Sequence, residues 1–167
     1  RAPRVRPSPL PIDASTPKRP GATRPRARAL RPIRTHAASY SVGLKRAYEP
    51  HAPGDGMRVL VDRLWPRGLR KEQLAVDFWL KDLAPSEALR RWFGHDPSRW
   101  DSFTERYRIE LAQSAELLEL LNELRRRGPL TLLYAARDVT RNNAVVLREV
   151  LEERRAAVDE RNTGAGQ

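Results

Sequence analysis

The chain has 167 residues, with 32 Lys and Arg against 21 Asp and Glu, 14 Pro, 9 Gly and no Cys. That is enough for one ordinary domain plus spare chain, and the lack of Cys excludes a disulfide-stapled miniature, a Cys-ligated metal protein and a Cys nucleophile. Apolar residues make up 40% but never run unbroken for the roughly 18 positions a membrane helix needs, so no membrane span is expected.

The basicity is uneven. Residues 1–40 hold ten Lys and Arg, one acid (Asp13) and eight prolines, whereas residues 41–167 hold 22 basic and 20 acidic residues. The total of +11 therefore belongs mostly to a tail and leaves the rest at +2, which gives no general argument for a nucleic-acid-binding groove. The tail has little apolar periodicity and a proline every few residues, so residues 1–40 are predicted to be disordered. It has no apolar segment of the kind a secretory signal carries. Its Arg, Pro and Ala content suggests a start placed too early, with Val42 as an alternative bacterial start.

Gly43 to Tyr48 reads as a short strand, followed by a turn at Pro53-Gly54-Asp55-Gly56. Met57 to Val61 is short, β-branched and apolar, which predicts a strand buried on both faces. It ends at Asp62-Arg63-Leu64-Trp65-Pro66-Arg67-Gly68, where Pro and Gly forbid regular structure. Val76 to Leu83 is extended or mixed. Ser86 is placed to cap a helix over Glu87 to Phe93, and Asp96 to cap another, with Pro97 at the first helical position. From Trp100, the positions Phe103, Tyr107, Leu111, Ala115, Leu118 and Leu121 form one apolar stripe, which predicts a long helix or a broken pair closing at Arg125-Arg126-Arg127-Gly128-Pro129.

Leu130 to Ala135 is the second clear strand. A polar loop, Arg137 to Asn143, follows, with Asp138 or Thr140 as the cap of a helix whose stripe includes Ala144, Leu147, Val150 and Leu151. Beyond Arg155 the pattern fades, so residues 156–167 are expected to fray. Strand, helical crossover, strand and helix in this order predict a single α/β domain over residues 42–155, a small and mainly parallel sheet flanked by helices. In such sheets ligands sit beyond the carboxyl ends of the strands, where both polar loops leave.

The residues Lys45-Arg46-Ala47-Tyr48-Glu49, Val61 to Gly68, Trp79-Leu80-Lys81 with Ala84-Pro85-Ser86, and Leu89 to Phe93 with His95-Asp96-Pro97 and Trp100 make a recognisable series. It closes in Leu132 to Asp138 and Asn142. Over about residues 43–152 this resembles the YeaO-like proteins, a bacterial family of the domain-of-unknown-function class numbered 488. The resemblance brings no reaction with it. Arg137 stands where the resemblance leads one to expect Lys, and an arginine effectively cannot lose its proton, which argues against proton transfer or a Schiff base there.

Asp62, Arg63, Arg67 and Gly68 combine a carboxylate, two guanidiniums and a flexible backbone at a strand end, suited to orienting phosphate or carboxylate. The competing reading is that Asp62 pairs with Arg63 or Arg67 and merely locks the loop over Trp65. Arg137, Asp138 and Asn142 add a cation, an acid and an amide near a helix start, with Asp138 as a plain cap in the plainer reading. His95 beside Asp96 is a candidate catalytic pairing, since histidine titrates near neutral pH and an adjacent carboxylate can orient it; an ordinary surface or site-lining residue, with Asp96 as a helix cap, is the alternative. Lys81 beside Trp79 is a cleft cation or a snorkelling side chain. Trp65, Trp79, Trp92 and Trp100 read first as anchors, with Trp65 or Trp100 as a pocket wall.

No helix-turn-helix, GxGxxG loop or metal-spaced ligands occur, and no cofactor is predicted, although Asp62, Asp138 and a phosphate could share Mg²⁺. The expectation is a cytoplasmic bacterial protein that binds an anionic small molecule or nucleotide between its two loops, with Asp62 or His95 as catalytic groups if it is a metal-independent enzyme. The alternative is a non-enzymatic regulatory or nucleic-acid-associated module, nucleic acid being the less favoured partner.

Overall fold

The computed structural model describes residues 40–164, so the tail prediction for residues 1–39 and the last three residues lie outside the described part. The strands are β1 (Val42–Arg46), β2 (Met57–Leu60), β3 (Phe78–Trp79) and β4 (Leu130–Tyr134). They form one sheet in the order β1-β4-β2-β3, and every neighbouring pair is parallel. Val42 and Met57 both stand opposite Leu130, so the three long strands start level and finish at the same end. That shared finish is what brings their exit loops together.

The helices are α1 (Lys71–Leu74), α2 (Glu87–Phe93), α3 (Trp100–Ala112), α4 (Ala115–Arg127) and α5 (Asn143–Gly164). The apolar stripe from Trp100 is thus carried by a broken pair, interrupted at Gln113 and Ser114. Ser86 caps α2 through Leu89 N–H, and Asp96 accepts from Ser98 N–H at the single 3-10 turn that leads into α3. α5 continues to Gly164, past Arg155 where the apolar stripe ends.

Alternation along the strands divides the interior. Val59, Val61, Leu132 and Tyr134 face a large core shared with Leu89, Phe93, Phe103, Tyr107, Leu118 and Leu147. Leu60 and Leu133 face the other side, where Ala47, Leu74, Trp65 and Leu69 cover them. Arg58, in the middle of β2, is 1% exposed. Its guanidinium pairs with Asp55 and donates to the carbonyls of Leu74 and Ala75, which is how a buried charge is tolerated. Lys45 joins the same carboxylate at 2.9 Å. Gly56 has φ +62°, and a Cβ there would stand 2.1 Å from the carbonyl oxygen of Pro129, so this entry to β2 requires glycine. Among the described residues no helix is long and apolar enough to cross a membrane.

Candidate functional site

The loops after β2 and β4, separated by about seventy positions in the chain, are tied directly. Ala135 N–H donates to Asp62 Oδ2 at 2.7 Å, and Asn143 Nδ2 reaches both the Val61 carbonyl, at 2.9 Å, and Asp62 Oδ1, at 3.2 Å. Further straps hold the rim. Tyr48 donates its hydroxyl to the Arg67 carbonyl, Arg46 Nε to the Ala136 carbonyl, and Trp79 Nε1 to the Asp62 carbonyl. Trp65 packs edge-on against Trp79 and donates Nε1 to the Leu69 carbonyl at 2.7 Å.

Between these loops lies a cleft of about 650 Å³, a size ordinary for small-molecule sites. The β2 loop supplies Asp62, Arg63, Trp65 and Arg67, and the β4 loop supplies Arg137, Asp138 and Asn143. The third wall comes from α2 and the turn after it, with Arg90, Phe93 and His95, backed by Phe103 of α3. Arg63, Arg67, Arg90 and Arg137 are exposed, and none of them forms an ion pair among the described residues. Asp62 is not locked to Arg63 or Arg67, because its carboxylate is used by Ala135 and Asn143 instead.

Burial pushes the Asp62 carboxyl above its ordinary value, partly offset by Ala135 N–H, Asn143 and the nearby charges of His95 and Arg90. His95 lines the cleft and has φ +59°, a left-handed conformation unusual for a residue with a side chain. Gly94 before it is also left-handed, at φ +55°, and ends α2. This double left-handed step turns His95 back towards the cleft; its ring lies 5.6 Å from that of Phe93.

Other expected site residues have different roles. Lys81 is exposed in the short turn after β3 and does not line the cleft. Gly68 also lies outside the lining; its φ of +77° shapes the loop. Asn142 lines the cleft but is 2% exposed, and its side chain is occupied: it accepts from Val145 N–H and donates to the Asp138 carbonyl. Asn142 is therefore the cap of α5, in place of Asp138 or Thr140. Asp138 lines the cleft too, yet its Oδ1 accepts from Thr140 and from Arg141 N–H, contacts that lower its pKa and fix the loop. Of the tryptophans only Trp65 lines the cleft, while Trp92 is flanked by Arg99 and Arg106. Sequence reasoning missed Arg90 and Asn143. Arg90 stood within the Leu89 to Phe93 series but on a helix with no sign of facing a ligand, and Asn143 stood beside a named residue in the same loop.

Among the described residues no three His, Asp or Glu side chains group as metal ligands, and Asp138 is turned to its own loop rather than towards Asp62.

A family model described as "Inactive DUF488-N3 subclade" matches residues 41–166. The chain is 48% identical over 113 residues to the uncharacterized protein Rv3073c of Mycobacterium tuberculosis strain H37Rv, covering 68% of this chain and 95% of the relative. It is 43% identical over 111 residues to the uncharacterized protein YeaO of Escherichia coli K12, covering 66% and 96%. No solved structure matches the chain.

Proposed function

The chain belongs to the DUF488-N3i family, the inactive DUF488-N3 subclade, and we propose that its cleft binds an anionic small molecule or nucleotide. The observation that carries this reading is the gathering around one cleft of Arg63, Arg67, Arg90 and Arg137, none of which forms an ion pair among the described residues. Arginines free of ion pairs present planar forks suited to phosphate or carboxylate, and an anion between them would relieve their mutual repulsion. The apolar surface of Trp65, Phe93 and Phe103 beneath them suits a ligand with a flat or apolar body.

The word inactive describes the subclade; carried to this chain, it favours a cleft that binds without turning a substrate over. A cytoplasmic bacterial protein that senses or sequesters a phosphorylated metabolite fits that description. One observation keeps a metal-independent enzyme as the second reading: Asp62, whose carboxyl burial pushes above its ordinary value, and His95 line the same cleft, so two groups able to transfer a proton face one bound ligand.

A thermal-shift screen of anionic metabolites tests the binding reading. A binding anion at 100 times its Kd stabilises the folded protein by about 2.7 kcal/mol, and Arg67→Ala is expected to remove most of that shift. If no anion stabilises the protein, the reading fails. Turnover of a stabilising ligand, lost in Asp62→Asn, would establish the enzyme instead.

A further inference from the structure

We infer that the ligand's other end is a guanine-type edge, and that the cleft selects guanosine monophosphate over the other nucleoside monophosphates. This rests on the proposed binding of an anion by the loop arginines and deepens it to a ligand class.

The floor and rim of the cleft have opposite chemistry. At the rim stand Arg63, Arg67 and Arg137, all donors. At the floor stands the Asp62 carboxylate, whose two oxygens each accept one protein hydrogen bond and retain lone pairs for more. Beside it is Asn143, whose amide nitrogen is committed to Val61 and Asp62, leaving its carbonyl oxygen as a further acceptor. A ligand spanning the cleft therefore needs an anion at one end and adjacent hydrogen-bond donors at the other.

Arg90 and His95 line the same cleft, and each carries N–H donors. The cleft therefore sets the acceptors of Asp62 and Asn143 against the N–H donors of Arg90 and His95. The edge of guanine is the complement: N1–H and the 2-amino group donate to the carboxylate, and the neighbouring O6 accepts from Arg90 or His95. Adenine places an acceptor where guanine has N1–H and an amino donor where it has O6, so it opposes a carboxylate with a lone pair and a cation with N–H. Cytosine makes the same kind of mismatch, and uracil lacks the second donor. Phe93, Phe103 and Trp65 supply apolar and aromatic surface for a flat purine, and about 650 Å³ accommodates one mononucleotide.

The test is isothermal titration of the full chain at pH 8 with the guanosine, inosine, adenosine, cytidine and uridine monophosphates and with inorganic phosphate. Guanosine monophosphate is expected to bind at least about tenfold more tightly than the adenosine, cytidine and uridine compounds. The inosine compound, which lacks only the 2-amino group, is expected to fall between. Asp62→Asn is expected to remove the base preference, so that the guanosine and adenosine compounds bind alike, whereas Arg67→Ala weakens all nucleotides alike. Adenosine or uridine monophosphate binding as tightly as guanosine monophosphate would overturn the inference while the anion-binding reading stands. Failure of every nucleotide, phosphate and metabolite anion would overturn both. The wild-type ranking decides the matter even if Asp62→Asn does not fold.

Discussion

Asp62 does two jobs with one carboxylate: it faces the cleft, and it accepts the Ala135 amide that joins the β4 exit to the β2 exit. Asp62→Ala would leave that amide without its acceptor and is expected to cost about 1–3 kcal/mol, read by urea denaturation. Asp62→Asn keeps an acceptor oxygen and should cost less. The two proteins should also differ with pH. Burial raises the folded-state pKa of Asp62, so the folded form holds its proton more tightly than the unfolded form. That contribution favours folding below the unfolded value and is lost as pH rises through the folded one. Wild type should therefore lose stability relative to Asp62→Asn across that window, measured as the difference between the two denaturation curves. Asn142 gives the contrasting case. As the cap of α5 it should cost about 1 kcal/mol when replaced by Ala, with ligand-induced thermal shifts intact. Nothing in the sequence separates Asn142 from Asn143; which amide caps and which faces the floor depends on a helix start that pattern alone locates only to within a residue or two.

At the level of elements, the legible features were those with strong local chemistry. Ser86 and Asp96 cap where their positions predict, and Met57 and Leu130 open buried parallel strands, because capping and apolar runs act over a few residues. Arg90 was not legible because it sits on the exposed side of α2, and only the folding of that helix over the strand ends makes the exposed side a cleft wall. The break between α3 and α4 was legible only as one of two readings, a long helix or a broken pair, since Leu111, Ala115 and Leu118 keep helical spacing across it. The left-handed pair Gly94-His95 belongs to this scale, as it ends α2 and aims a side chain at the cleft. Only glycine adopts such a conformation without cost, so His95→Gly is expected to stabilise the fold by about 1 kcal/mol while weakening ligand binding. A rise in melting temperature with unchanged binding would show that His95 contributes nothing to the site. Gly56→Ala should act in the opposite direction. Its Cβ would collide with the Pro129 backbone, and the loss should exceed about 1 kcal/mol in thermal denaturation.

Across the whole chain, charge and site separate. The net charge of +11 is concentrated before residue 41, whereas the portion that builds the cleft is nearly neutral, with its arginines gathered by the fold rather than by composition. A polynucleotide responds to the number of phosphates neutralised, and the logarithm of its affinity falls with the logarithm of salt concentration with a slope of about 0.9 for each phosphate contact on duplex DNA. The ten cations of residues 1–40 are thus expected to dominate any such binding. Comparing the full chain with one beginning at Tyr40 should show most of the salt-dependent DNA retention disappearing, while stabilisation by small anions stays the same. The opposite result, an unchanged salt slope in the shorter chain together with its loss in Arg67→Ala, would mean that the cleft arginines engage the nucleic-acid backbone. The site would then be the mouth of a larger phosphate-binding surface, and the partner a polymer rather than a mononucleotide.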